Sequence, residues 1–120
     1  MRPDERDAAY LWDMLDAART IREIAQGQTL DVYLADRTLQ LAVERALEIV
    51  GEAARRVSEP FCEAHPEIPW RPIIAQRNVF AHEYGDIRQE RIWAVVTRHV
   101  PEPIELLEPL VPPAPDDSAA

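Results

Sequence analysis

The chain has 120 residues, with 22 acidic side chains against 13 basic ones and a formal charge of −9. All 13 basic residues are arginine, which excludes a lysine Schiff base, a lysine general base and any phosphate loop that needs a lysine. Gly27, Gly51 and Gly85 stand too far apart for a glycine-rich phosphate cradle, and the acidic balance excludes coating of nucleic acid by bulk charge.

Residues 4 to 26 read as an amphipathic helix, with Leu11, Met14, Leu15, Ala18, Ile21 and Ala25 recurring at steps of three and four. Asp4, Glu5 and Asp7 suit its N-terminal dipole, and Gly27 suits its end. A short helical turn is expected over 29 to 34, capped by Thr29. Residues 36 to 57 form the longest periodic stretch. Leu39, Val43, Ala46, Leu47, Val50, Ala54 and Val57 make one row, and Ala42, Ile49 and Ala53 widen it to a second face. A helix apolar around so much of its circumference is expected to meet the core on one side and a partner subunit on the other.

Pro60, Pro66, Pro69 and Pro72 punctuate the next segment. A short helix is expected over 60 to 65, then one from about Trp70 to His82 with Pro72 in its first turn. Gly85 and Asp86 mark a turn. Asp86 is expected to cap a helix from about Ile87 to His99, whose shared face carries Ile92, Val95, Val96 and His99. Pro101 and Pro103 kink or restart it, and 104 to 110 add two apolar turns. No strand run appears. The expected fold is all-α, an up-down bundle of four to five helices, in one domain over 1–110 with a disordered Pro/Asp/Ala tail over 111–120.

Cys62 is the only cysteine, which fits a reducing compartment. Without a signal-peptide pattern or an 18-residue apolar run, the expectation is a cytoplasmic protein with no membrane contact.

The segment from Arg77 to Tyr84 gathers an arginine, an amide (Asn78), a histidine (His82) and a tyrosine within eight residues. Asn78 and His82 stand at i and i+4 and share a helix face. Arg77 and His82 stand at i and i+5, about 140° apart on an ideal helix, so one rigid helix does not aim both at one point. A long arginine side chain, a frayed helix end or a second copy of the chain closes that gap. Such a set can cleave RNA without metal. Histidine titrates near neutrality and exchanges protons with a ribose 2′-hydroxyl or a leaving oxygen. Arginine holds the phosphate by two parallel bonds. One histidine supplies an acid or a base, and a two-fold dimer supplies both. By spacing alone, structural capping and surface pairing are the simpler explanation of such a short motif.

These residues resemble the HepT-like toxin family of the HEPN superfamily, whose motif Arg-x4-His-x-Tyr is matched by Arg77, His82 and Tyr84. The segments Ala35-Asp36-Arg37, Glu48 to Ala54 and His65 to Trp70 resemble family segments in the expected order, so the resemblance covers roughly residues 5 to 110. It implies a dimeric HEPN-like bundle and a metal-independent endoribonuclease that cuts RNA by 2′-hydroxyl attack. It further implies the toxin of a type VII toxin–antitoxin pair, with a minimal nucleotidyltransferase antitoxin that transfers AMP to Tyr84. By position, Arg77 and His82 carry over as catalytic and Asn78 as a supporting residue; no metal or cofactor is implied. The alternatives are a non-catalytic helical partner that presents Tyr84 or substrate to the nucleotidyltransferase, and a plain nucleotide-binding bundle.

Other polar clusters have simpler readings. Cys62, His65, His82 and His99 fit no common zinc spacing. Glu48 and Glu52, with Arg45, Arg55 and Arg56, read as a solvated ion-pair face, and as a cleft lining in the functional alternative. Trp12, Trp70 and Trp93 read as core or interface anchors.

Overall fold

A computed structural model describes residues 3–80 and 84–112. Seven helices occur among the described residues: α1 (Glu5–Ala25), α2 (Leu30–Ala35), α3 (Arg37–Arg56), α4 (Glu59–Ala64), α5 (Trp70–Phe80), α6 (Gly85–Arg98) and α7 (Pro101–Leu107). No strand occurs among them. The four longest, α1, α3, α5 and α6, are the bundle; the other three are joints of six or seven residues.

Local chemistry sets the boundaries. Asp4 caps α1 by accepting the Asp7 amide at 2.7 Å. Thr29, Asp36 and Ser58 accept the amides of Val32, Leu39 and Phe61 to open α2, α3 and α4. Gly27, at φ +75°, turns the chain sharply after α1, a conformation costly for any residue with a Cβ. The start of α6 departs from expectation. Gly85 takes φ +62° and is itself the first helical residue of α6. Tyr84 occupies the N-cap position with no side-chain bond, and Asp86 lies in the first turn rather than capping it. Pro101 restarts the chain as α7, as expected, and the helix ends at Leu107, short of the 110 that the apolar spacing suggested.

The core forms where the apolar rows of α1 and α3 meet along their length. The amide of Ser58, just past α3, donates to Asp7 at the head of α1 at 2.8 Å, so the two helices run antiparallel. Leu11, Met14, Ile21, Val43, Phe61, Ile92 and Ile104 are fully or almost fully buried, each contributing about 1.5–3 kcal/mol of transfer free energy. The two-faced reading of α3 needs one correction: Ala53 is buried within the chain, and Ile49 packs against the core. The exposed apolar residues on α3 are Leu41 and Ala42.

Asp7 also has a different role from the one its sequence position suggests. It is 3% exposed and accepts both the amide and, at 2.5 Å, the hydroxyl of Ser58, tying α1 to α4. The inner face of α6 carries Gln89, Ile92 and Val96, whereas His99 is its exposed C-cap and not a member of that face. Trp70 is buried and donates from Nε1 to the His65 carbonyl at 3.0 Å. Trp93 stacks on Tyr33 with ring centroids 4.8 Å apart. Trp12 stays 40% exposed, outside the core. Val111 packs against the core, and residues 113–120, expected as a disordered tail, lie outside the described residues. No helix among the described residues is long and apolar enough to cross a membrane.

Candidate functional site

The candidate residues sit where α5 gives way to α6. Arg77 and Asn78 belong to the final turn of α5, and Tyr84 stands at the N-cap of α6, 77% exposed. His82 and the side chains of Arg77 and Asn78 lie outside the described residues. A tyrosine this exposed adds little to the core, and its hydroxyl is open to solvent or a partner.

Beside this junction lies an open groove of about 590 Å³ between α3, α5 and α6. Its floor is apolar, built by Leu47, Ile73 and Ile92, and Gly51 allows α5 to come close. A Cβ on Gly51 would stand 3.4 Å from the Ile73 carbonyl oxygen. The walls carry Glu44, Arg45, Glu48, Glu52, Arg55 and Arg88, with Gln76 on α5. An apolar floor under a few convergent polar groups suits a small ligand or one segment of a polymer.

The ion-pair reading of the charged face of α3 holds. Arg45 pairs with Glu48 at 3.5 Å, and Arg55 and Arg56 pair with Glu52 at 3.1 and 3.7 Å. These are exposed neighbours on one helix, of little energetic weight. Yet Glu48, Glu52, Arg45 and Arg55 also line the groove.

A buried polar chain underlies this wall. The Tyr33 hydroxyl donates to Gln89 Oε1 at 2.6 Å, Gln89 Nε2 donates to Glu44 Oε1 at 3.2 Å, and Arg88 Nη2 meets the same oxygen at 3.0 Å. It links α2, α6 and α3. Burial, and then the Glu44 carboxylate, push the Tyr33 phenol well above its ordinary pKa, with Arg88 opposing. Sequence reasoning missed this chain. The available signal was Gln89, which stands three residues before Ile92 on the inward face of α6 and so had to find a partner.

Of the four residues tested against zinc spacing, Cys62 and His65 have other partners. His65 Nδ1 lies 3.0 Å from Glu67 Oε1, and the Cys62 thiol points to the Val57 carbonyl at 4.0 Å. Burial pushes the Cys62 thiol up, assisted by Asp7 and Glu59. No group of three or more metal-ligating side chains occurs among the described residues.

Comparison with known proteins supports the same helical bundle. The family described as "Ribonuclease HepT-like" matches residues 14–110. The chain is similar to "Putative RNase MJ0127" of Methanocaldococcus jannaschii, with 33% identity over 91% of this chain and 90% of that protein. It is similar to "Probable ribonuclease HepT" of Thermococcus cleftensis, with 36% identity over 77% of this chain and 84% of that protein. It is also similar to "Putative RNase MJ1380" of M. jannaschii, with 33% identity over 78% and 86%. No solved structure matches the chain. A match over residues 14–110, from within α1 past the end of α7, together with relatives at a third identity along most of their length, makes this chain a member of the HepT-like ribonuclease family, a family of enzymes.

Proposed function

We propose that two copies of the chain form a metal-independent endoribonuclease that acts in the cytoplasm as a toxin. The junction of α5 and α6 carries the reading. It joins the turn bearing Arg77 to an exposed Tyr84 in a chain whose family is ribonucleolytic. In the proposed reaction a ribose 2′-oxygen attacks the adjacent phosphorus as His82 of one copy takes its proton. The bond to the 5′-oxygen breaks, and the second copy's histidine returns a proton to that oxygen. The products are a 2′,3′-cyclic phosphate and a 5′-hydroxyl. Arg77 holds the phosphate and stabilises the charge that develops on its oxygens, and Asn78 supports His82 from one turn away.

The dimer is supported by the exposed apolar positions Leu41 and Ala42 on α3 and by the need for two histidines. Neutralisation is assigned to a minimal nucleotidyltransferase partner, completing a type VII toxin–antitoxin pair. The Tyr84 oxygen attacks the α-phosphorus of ATP, pyrophosphate leaves, and a phosphodiester remains on the ring. Its negative charge and bulk then occupy the place RNA needs, since phosphate pairs readily with arginine.

Incubation of the pure protein with RNA in excess EDTA tests this reading. Cyclic-phosphate ends that vanish in His82→Ala, with helicity retained, support it. Cleavage persisting in both Arg77→Ala and His82→Ala overturns the site. No cleavage alongside tight binding of the nucleotidyltransferase points to the non-catalytic partner instead.

A further inference from the structure

We infer that Arg88 is an additional phosphate-binding residue for RNA, acting in the groove between α3, α5 and α6. The inference rests on the ribonuclease reading above and adds a contact outside the motif. Three arginines line the groove: Arg45, Arg55 and Arg88. The first two are 69% and 62% exposed and pair only one turn along their own helix, so they are loosely held. Arg88 is 34% exposed, and its partner Glu44 lies on a different helix. Glu44 is itself held by Gln89, and Gln89 by the buried Tyr33 hydroxyl. The core thus holds Glu44 in place, and the guanidinium leans on it through one ion pair, near enough to the groove to turn toward an anion.

The pairing leaves Arg88 incompletely used. Glu44 meets one nitrogen, Nη2, while Nε is buried and has no hydrogen-bond partner. A guanidinium can present Nε–H and Nη–H as a parallel pair, which matches two phosphate oxygens. A phosphate entering the groove can draw the guanidinium to that bidentate arrangement and give the stranded N–H an acceptor, while Glu44 keeps its bond from Gln89. The acids beside it do not bar an anion, because Arg45, Arg55 and Arg88 balance the groove acids Glu44, Glu48 and Glu52, and Arg56 adds a further positive charge beside Glu52. Arg88 also stands one helical turn after Tyr84, so a phosphate there lies beside the motif, with the groove's apolar floor available to the adjoining base.

The test uses the whole protein and a short, end-labelled, mixed-sequence 2′-O-methyl RNA, which binds but cannot be cut. Anisotropy is followed across a salt series. Arg88→Gln is expected to weaken binding roughly tenfold at low salt and to make the slope of log K against log salt shallower by about 0.7, the share of one single-strand phosphate. Arg19→Gln removes the same charge from α1, outside the groove, and should leave both unchanged. Arg88→Lys should keep the slope but not the full affinity, since it keeps the charge without the fork. If Arg88→Gln loses helicity, Arg88→Lys decides alone, and parental affinity in it overturns the proposal. So does an unchanged slope in a folded Arg88→Gln, an equal loss in Arg19→Gln, or no binding by the parent. Binding with the expected signature but no cleavage of the matching ribo-oligonucleotide upholds the phosphate site and removes only the ribonuclease reading.

Discussion

The Tyr33 hydroxyl donates to Gln89 Oε1 at 2.6 Å across 56 residues of chain. This bond joins the small helix α2 to α6, the helix that follows the candidate motif. It also gives a buried amide in an apolar face its acceptor-side partner. Tyr33→Phe keeps the ring and its stacking on Trp93 but strands the Gln89 oxygen. The expected loss is about 1–2 kcal/mol, read by urea denaturation near neutral pH.

The same tyrosine makes stability fall at high pH. Burial first, and Glu44 second, raise its pKa above the ordinary 10.0. The phenol is therefore neutral in the folded state where the unfolded chain has begun to ionise. Its stabilising contribution is fully present below the ordinary value and is lost as pH rises above it toward the folded value. Denaturation midpoints from about pH 8 to about pH 11.5 should fall more steeply for the parent than for Tyr33→Phe above about pH 10. Parallel falls would show that the hydroxyl is not the linked group.

Asp7 provides a second stability test, far from the groove. Its buried carboxylate accepts the amide and hydroxyl of Ser58, and Ser58 in turn caps α4. Asp7→Ala removes the acceptor for both donors and should cost about 2–3 kcal/mol. Ser58→Ala leaves the amide bond to Asp7 in place and should cost about 1 kcal/mol. Urea denaturation that gave the reverse order would mean that capping of α4, and not the link between helices, dominates.

The oligomer is tested at Leu41, which is 51% exposed at the edge of the groove. Sedimentation at micromolar concentration should give a dimer for the parent and a monomer for Leu41→Glu, with helicity unchanged because the side chain is outside the core. RNA cleavage should fall with dimerisation, since each copy brings one His82. A monomeric parent that still cleaves would remove the composite site.

Much of the fold was legible because its signals are local. The rows of α1 and α3, Thr29 as a cap and Gly27 as a stop each depend on residues within a turn or two. The motif is likewise a local signal, a short run that the structure begins in the last turn of α5 and ends at the head of α6. The cross-chain polar bonds were not. Asp7 looked like a dipole residue because nothing nearby announces Ser58, 51 residues away. Glu44 and Arg88 carry no local signal of each other, and only packing of α6 beside α3 brings them to 3.0 Å. The start of α6 was misplaced by two residues: Gly85, at a left-handed φ, is already helical, where the sequence pattern made Gly85 and Asp86 a turn before Ile87.

The final prediction separates chemistry from regulation at Tyr84. Its side chain is 77% exposed and makes no capping bond at the head of α6, so Tyr84→Phe should change stability by no more than about 0.5 kcal/mol. In the proposed reaction the phenol neither takes nor gives the transferred proton, so cleavage should stay within about tenfold of the parent. Transfer of AMP, in contrast, needs the phenolic oxygen as the attacking atom. With the nucleotidyltransferase and labelled ATP, the parent should take up label and lose activity together, whereas Tyr84→Phe should take up none and stay active. If Tyr84→Phe is silenced by the partner without incorporating AMP, neutralisation works by binding and the covalent mechanism is wrong. If Tyr84→Phe is folded but inactive on its own, the tyrosine belongs to the catalytic set and the division of roles between His82 and Tyr84 fails.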